Sequence, residues 1–181
     1  LNTTGACNSS FGYQALRNAT TANYNTASGY QSARNTTTGT RNSTFGTRSL
    51  YNNTTGDDNI AIGHHSLYYN STANNNVAVG GCTLMNNITG ASNTAVGHGA
   101  LHSNTCAYGN TAVGHCALRN NCGGGAKENV AVGISALILN CTGCRNVAVG
   151  PSALQCNTSG VRNQAFGGWA LRRNTTGSNN T

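Results

Sequence analysis

Charged residues are scarce in this chain. Only 7% of its 181 residues are charged, and the acidic ones number three: Asp57, Asp58 and Glu128. So few carboxylates exclude catalysis by paired acidic side chains. The sequence also contains no nucleophile elbow, no phosphate-binding loop and no Cys/His catalytic pattern. We therefore expect a protein that is not an enzyme and that needs no cofactor.

Long apolar runs and a signal peptide are also absent, so we expect no membrane span. Low charge argues against intrinsic disorder, which usually combines high charge with apolar residues in no fixed register. Leu1 falls in the middle of a sequence repeat, and Thr181 follows the start of a new one. We expect residues 1–181 to be a single repetitive segment of a longer fibre.

What the chain has instead is a repeat of seventeen residues, each unit opening with Asn and carrying Gly at its fifth position. The first seven units open at Asn8, Asn25, Asn42, Asn59, Asn76, Asn93 and Asn110. An insertion near residues 123–126 then moves the next opening to Asn129, and the period resumes at Asn146, Asn163 and Asn180. A period of this kind indicates one small unit stacked on copies of itself.

Each unit predicts one coil of an all-β, parallel β-solenoid or β-roll of about ten coils. A short strand follows the opening Asn, and we expect a second strand through the Ala-Leu pair at positions 8 and 9. Stacked coils lie about 4.8 Å apart. We expect the Val or Phe at position 4 and the Leu at position 9 to fill the interior, beside small residues at positions 3 and 8.

The runs at residues 93–97 and 110–114, both NTAVG, are each followed by Ala-Leu. They resemble the repeats of trimeric autotransporter adhesin heads and phage-type tail-fibre shafts, and the resemblance covers essentially the whole chain. It implies a left-handed coil and three chains associated side by side as a trimeric rod. This chain differs in its longer period, its cysteines and its many glycosylation sequons.

Asn-x-Ser/Thr sequons recur at position 12 of the coil or one residue earlier. They begin at Asn2, Asn18, Asn35, Asn53, Asn70, Asn87, Asn140, Asn157 and Asn174. We expect an exposed turn here, which has room for an N-linked glycan. The alternative is that an Asn- and Thr-rich chain produces sequons by chance, and that this motif serves only as turn chemistry.

Eight cysteines complete the inventory. Cys106, Cys122, Cys141 and Cys156 fall near one edge of successive coils, within the Cα separation of about 4.4–6.8 Å that a disulfide needs. We expect disulfides between neighbouring coils, with the pairing open, and hence an oxidising, extracellular setting. The pair Cys141-x-x-Cys144 has zinc-like spacing, but no second such pair follows, so we expect no metal site.

The basic residues are scattered along the sequence, which carries a net charge of +7. Without a tight basic run or interleaved aromatic platforms, we expect no nucleic-acid partner and at most a weak attraction to anionic glycans or cell surfaces. His98 and His115 share position 6 of adjacent coils, but no carboxylate accompanies them as a second-shell group would.

These features predict a structural component of an extracellular fibre or stalk at a cell or virion surface. We expect it to be N-glycosylated on its turns and to self-associate into a filament or a trimer. The second hypothesis is an adhesin or tail-fibre shaft that binds a host surface or a carbohydrate. A third, ice binding through threonine files, fits less well because the threonines keep no regular file.

Overall fold

The computed structural model describes residues 3–181, so the predicted glycosylation site Asn2 lies outside the described residues. Ten short strands form a single parallel sheet in sequence order. They are β1 (Ser9–Phe11), β2 (Thr26–Ser28), β3 (Ser43–Phe45), β4 (Ile60–Ile62), β5 (Val77–Val79), β6 (Thr94–Val96), β7 (Thr111–Val113), β8 (Val130–Val132), β9 (Val147–Val149) and β10 (Gln164–Phe166). We number the coils after their strands and count the opening Asn as position 1.

Neighbouring strands pair in the register that the repeat predicts. Ala95 in β6 lies opposite Ala112 in β7, and Ala112 lies opposite Ala131 in β8. The second pairing holds although two extra residues separate β7 from β8, because the insertion is accommodated in the turn, where Gly124 and Gly125 are exposed. The predicted all-β solenoid is confirmed, with about nine turns and coils of about 17 residues.

The expectation of a second strand in each coil is wrong. The segment around positions 6–9 is a turn in each described coil, and two of its residues have left-handed backbones, as at His65 (φ 55°) and Leu67 (φ 50°). Such a conformation costs about 1–3 kcal/mol. Complete burial of a leucine side chain contributes about 1.5–3 kcal/mol. The buried leucine therefore offsets the strain of its own backbone.

Glycine at position 5 ends each strand for two physical reasons. Gly97 has a φ of 123°, which side chains disfavour, and a Cβ added to it would lie 2.6 Å from the carbonyl oxygen of Gly114 in the next coil. The backbones of successive coils thus approach too closely here for any side chain. This contact explains the Gly at this position in nine of the ten units, and at Gly167, where an added Cβ would meet nothing within 4 Å, the φ of 110° alone favours glycine.

Fewer positions of the coil face the interior than the sequence predicted. Positions 3, 8 and 9 are buried through the middle of the solenoid, as at Ala95, Ala100 and Leu101, each with no exposed surface. The expectation that position 4 also faces inward is wrong, because Phe45 and Phe166 are 63% and 67% exposed. Side chains alternate along a strand, so an inward residue at position 3 places positions 2 and 4 outside.

The leucine file gives a direct test of this core. We expect Leu101→Ala to lower the free energy of unfolding by about 2–5 kcal/mol, because it opens a cavity in a fully buried column. The matched control, Leu139→Ala, makes the same truncation at a side chain that is 43% exposed, and it should cost about 0.5 kcal/mol or less. Urea unfolding followed by circular dichroism measures both, and equal losses would contradict this assignment of the core.

Candidate functional site

The opening asparagines form a buried ladder, which we call the position-1 ladder. The backbone N and Nδ2 of Asn59 both donate to Oδ1 of Asn42 in the preceding coil, at 3.0 and 3.1 Å. Nδ2 of Asn59 also donates to the carbonyl oxygen of Ala73, at position 15 of its own coil, at 2.9 Å. The same three bonds recur at Asn25, Asn42, Asn76, Asn93, Asn129, Asn146 and Asn163.

A second file of asparagines, the position-12 ladder, runs parallel to the first. Nδ2 of Asn70 donates to Oδ1 of Asn53 at 3.0 Å and to the carbonyl oxygen of Ala73 at 3.1 Å. The equivalent pair of bonds is made by Asn87, Asn104, Asn121, Asn140, Asn157 and Asn174. Buried amides are thereby paired along the stack, as interior polar groups require.

The two ladders meet at the carbonyl of position 15. The Ala73 oxygen accepts one bond from each ladder, and Gly90 does the same in the next coil. The amide approaches the backbone closely at Gly90, where an added Cβ would lie 2.6 Å from Oδ1 of Asn87. The insertion interrupts the pattern once, where Nδ2 of Asn110 donates to the carbonyl of Tyr108 instead.

The ladder corrects the exposed placement of the predicted glycosylation sites. No surface is exposed at Asn53, Asn70, Asn87, Asn140 and Asn157. The remaining described sites, Asn18, Asn35 and Asn174, are half-buried, and their Nδ2 atoms donate to the asparagine of a neighbouring coil. A glycan is attached through Nδ2, so the folded ladder leaves no room for one at the five buried positions. The turn was anticipated from the sequence, but its asparagine points inward.

An Asn-to-Asp pair tests the position-12 ladder. Asn87→Asp replaces a buried donor by a carboxylate, and we expect a loss of about 3 kcal/mol or more in stability at pH 7. Burial raises the pKa of such a carboxyl group, so the deficit relative to the wild type should shrink as the pH falls and the group is protonated. The control is Asn86→Asp, at a half-buried position one residue earlier. Matching losses in the two variants would contradict the ladder.

The structure selects one pair from the four candidate disulfide cysteines. Sγ of Cys122 lies 2.9 Å from Sγ of Cys141, and both residues are at position 13 of adjacent coils. The contact with Cys141 raises the pKa of the Cys122 thiol, and burial adds to the effect. Cys106 instead accepts a hydrogen bond from Thr105 Oγ1 at 3.7 Å, and Cys156 is at position 11. The thiols are free in this structure.

We expect oxidised glutathione to link Cys122 to Cys141. The two thiols would form one disulfide, and the glutathione disulfide would be reduced to two thiols. Peptide mapping should find this link in the wild type and in a Cys106→Ser, Cys156→Ser variant, whereas Cys141→Ser should lose it. The link should also raise the unfolding temperature, reversibly on reduction. Predominant links through Cys106 or Cys156 would contradict the geometry.

Charge is distributed unevenly around the coil, although it is scattered along the sequence. The three acidic residues occupy positions 16 and 17, together with Arg41, Lys127, Arg145 and Arg162. Arg41 pairs there with Asp58 at 2.6 Å, and Arg145 pairs with Glu128 at 2.8 Å. The other arginines are at positions 7, 10 and 11, which contain no acidic residue: Arg17, Arg34, Arg48, Arg119, Arg172 and Arg173. The six arginines at positions 7, 10 and 11 therefore account for six of the seven net positive charges.

Contacts between coils join this side into one surface. We call the outward residues of positions 6, 7, 10 and 11 the arginine edge. Arg34 donates through Nε to Gln14 Oε1 at 3.0 Å and through Nη1 to Tyr51 Oη at 2.8 Å. The Tyr51 and Tyr68 rings stack at 5.1 Å between centroids. Sequence reasoning missed this surface, which becomes visible when the charges are assigned to coil positions.

All five histidines also lie on the arginine edge. His98 and His115 stack at 5.7 Å between ring centroids, as their shared position predicts. Burial, then His64 and Arg48, lower the pKa of His65. Burial, then Arg119 and His98, lower the pKa of His102. Arg48 and Arg119, which contribute to these two shifts, are cationic, as expected for a surface of one sign.

No cluster of three or more metal-ligating side chains occurs among residues 3–181. Within the same residues, no helix is long and apolar enough to cross a membrane. Comparison with known proteins gave no match to a family model, a curated protein or a solved structure. The likeness to adhesin heads and tail-fibre shafts accordingly remains a resemblance of motifs.

Proposed function

We propose that the chain is a non-catalytic structural segment of an extracellular fibre or stalk. The observation that carries this proposal is the continuity of the two asparagine ladders and the leucine file through coils 3 to 10. A repeat whose buried asparagines need hydrogen bonds from the neighbouring coil as well as from their own is suited to extension by stacking. Length is then set by the number of coils, and the outward side chains are free to differ.

Rigidity is the property that this interior would supply to a fibre. Each coil donates backbone hydrogen bonds to its neighbours at the strand, as from Ile60 N to Asn76 O at 2.8 Å, and at the turn, as from Leu67 N to Thr83 O at 3.0 Å. The ladders add side-chain bonds between these two regions. Bending the rod would stretch the hydrogen bonds between coils on the convex side of the bend. This resistance favours a stiff shaft.

The outer sheet face supports self-association into a filament or a trimer. Positions 2 and 4 contain no charged residue. From Ile62 to Val149 every position 4 is Val or Ile, and position 2 is Val or Ile in four of these six coils and Thr in the other two. Val96 and Val113 are 37% and 36% exposed. Continuous apolar surface of this kind commonly marks an interaction site. A parallel rod of the same chain is the partner that matches its straight, regularly spaced rows.

Light scattering and negative-stain electron microscopy of the purified chain test the proposal. We expect elongated multimers for the wild type, and monomers for a variant with Val79→Glu, Val113→Glu and Val149→Glu on the sheet face. Buried like charges would oppose the lateral contact, whereas the coil interior is untouched.

The matched control carries Thr72→Glu, Thr89→Glu and Ser159→Glu at position 14, which is exposed on another side of the coil. This variant changes the charge equally and should assemble as the wild type does. A compact monomer for the wild type, or equal loss of assembly in both variants, would contradict the proposal.

Adhesion is the second candidate, and the arginine edge is the observation that favours it. An unneutralised cationic surface attracts anionic groups at a cell surface. Ice binding gains less support, because threonine occupies position 2 only at Thr26, Thr94 and Thr111, and serine, valine, isoleucine or glutamine replaces it elsewhere.

A further inference from the structure

We propose that the arginine edge binds a linear polysaccharide whose sugar units carry oxyanions, either carboxylate or sulfate. The inference goes beyond the structural role and does not depend on it. It is centred on coils 1–4, where Arg17, Arg34 and Arg48 occupy three successive coils. Arg17 and Arg34 share position 10 of adjacent coils, which lie about 4.8 Å apart. Arg48 is at position 7 of the third coil, and its guanidinium lies 5.9 Å from the centroid of the Tyr51 ring that Arg34 also covers, so the three cations form a row along the rod. A linear polyanion can lie along such a row and contact each coil in turn.

Neutral partners hold two arginines of the row, Arg34 and Arg48, in place. Arg48 donates through Nε to Gln31 Oε1 at 2.9 Å, and Arg34 donates in the same way to Gln14. Arg172 repeats the arrangement with Gln155 at 2.7 Å. A glutamine oxygen fixes the direction of the guanidinium group without cancelling its charge. The ordering cost of binding is then reduced, and the outer nitrogens keep the fork that matches an oxyanion.

The salt-bridged arginines at position 17 provide a contrast. Arg41 donates through Nε and Nη2 to the two oxygens of Asp58, at 2.6 and 2.8 Å. The second nitrogen of its fork and its charge are therefore already used. The chain thus contains two kinds of arginine, and those on the arginine edge keep their charge unpaired by any carboxylate within the described residues.

The aromatic rings favour a polysaccharide over a single-stranded nucleic acid. Tyr13 stacks on Tyr30 at 5.5 Å, and Tyr51 stacks on Tyr68 at 5.1 Å. In proteins that bind single-stranded nucleic acids, the bases stack on free faces of aromatic rings. The tyrosines turn these faces toward each other along the rod and cover them further with the Arg34 and Arg48 guanidinium groups. The tyrosine hydroxyl groups remain, and these can donate hydrogen bonds to sugar hydroxyls and accept hydrogen bonds from them.

Binding of fluorescently labelled dextran sulfate and polygalacturonate, measured by anisotropy against salt concentration, tests the inference. We expect saturable binding to at least one of these polymers, and the comparison identifies sulfate or carboxylate as the preferred group. The variant Arg17→Gln, Arg34→Gln, Arg48→Gln should bind about tenfold more weakly or worse, with a salt dependence reduced by about two to three ions.

The matched control is Arg41→Gln, Arg145→Gln, Arg162→Gln, which lowers the net charge equally on the other side. It should change affinity by less than about threefold, because its arginines lie outside the row. Equal loss in the two variants would show that net charge alone drives binding and would overturn the inference. Tighter binding to labelled poly(dT) than to either polysaccharide would also overturn it, in favour of a nucleic acid.

Two further variants separate a local effect from misfolding and from assembly. Arg17→Lys, Arg34→Lys, Arg48→Lys keeps the charges but removes the guanidinium forks, and it should restore part of the affinity that the Gln variant loses. The variant with glutamates on the sheet face keeps the whole arginine edge, so it should bind the polysaccharide even where it no longer assembles. Failure of the structural proposal would therefore leave this result unaffected.

Discussion

The carbonyl group at position 15 is the point on which the rest of the coil depends. In most coils it accepts one hydrogen bond from each asparagine ladder, so two buried amides converge on one oxygen. These amides also donate to the asparagine of the preceding coil, and this bond fixes the axial spacing, or height, between neighbouring coils. Strand register, the close approach at the position-5 glycine and the leucine file all require that constant height. A buried amide without these partners would cost about 1–3 kcal/mol.

This constraint explains which positions repeat strictly and which vary. Positions 1, 5 and 9 lie where polar satisfaction, backbone approach and apolar filling leave little choice. Positions 6, 7 and 10 point outward from the turn and contain arginine, tyrosine, histidine, glutamine and other residues. The interior can thus remain uniform while the surface differs from coil to coil. An apolar sheet face, an arginine edge and an ion-paired side are three chemically separate surfaces on one rod.

The period, the parallel sheet and the buried leucine were predictable, because a strict repeat forces equivalent residues into equivalent environments. The outward direction of position 4 was not. A strand of three residues has apolar side chains on both faces, so alternation alone does not say which face is inside, and the phenylalanines suggested the wrong one. The expected exposure of the sequon asparagines was wrong for a related reason, since Asn53 and Asn70 satisfy a turn motif and an interior ladder with the same side chain.

The arginine edge was hidden by reading charge along the sequence. Arg17, Arg34 and Arg48 are far apart in the chain and contribute to one surface only once the coil positions are superimposed. Sequence does contain that signal, because all three acidic residues fall at positions 16 and 17. The hydrogen bonds from arginine to glutamine, and the stacking that covers the tyrosine faces, depend on side-chain conformations that periodicity does not specify.

Side-chain amide hydrogen exchange, measured by NMR on the folded protein, tests the central claim most directly. The account predicts slow exchange for the Nδ2 protons of the ladder asparagines, such as Asn76 and Asn87, because each is buried and donates twice. The exposed Asn75 provides an internal reference and should exchange rapidly. Ladder amides that exchange as fast as Asn75 would contradict the account, because the coils would then be held by something other than the shared carbonyl.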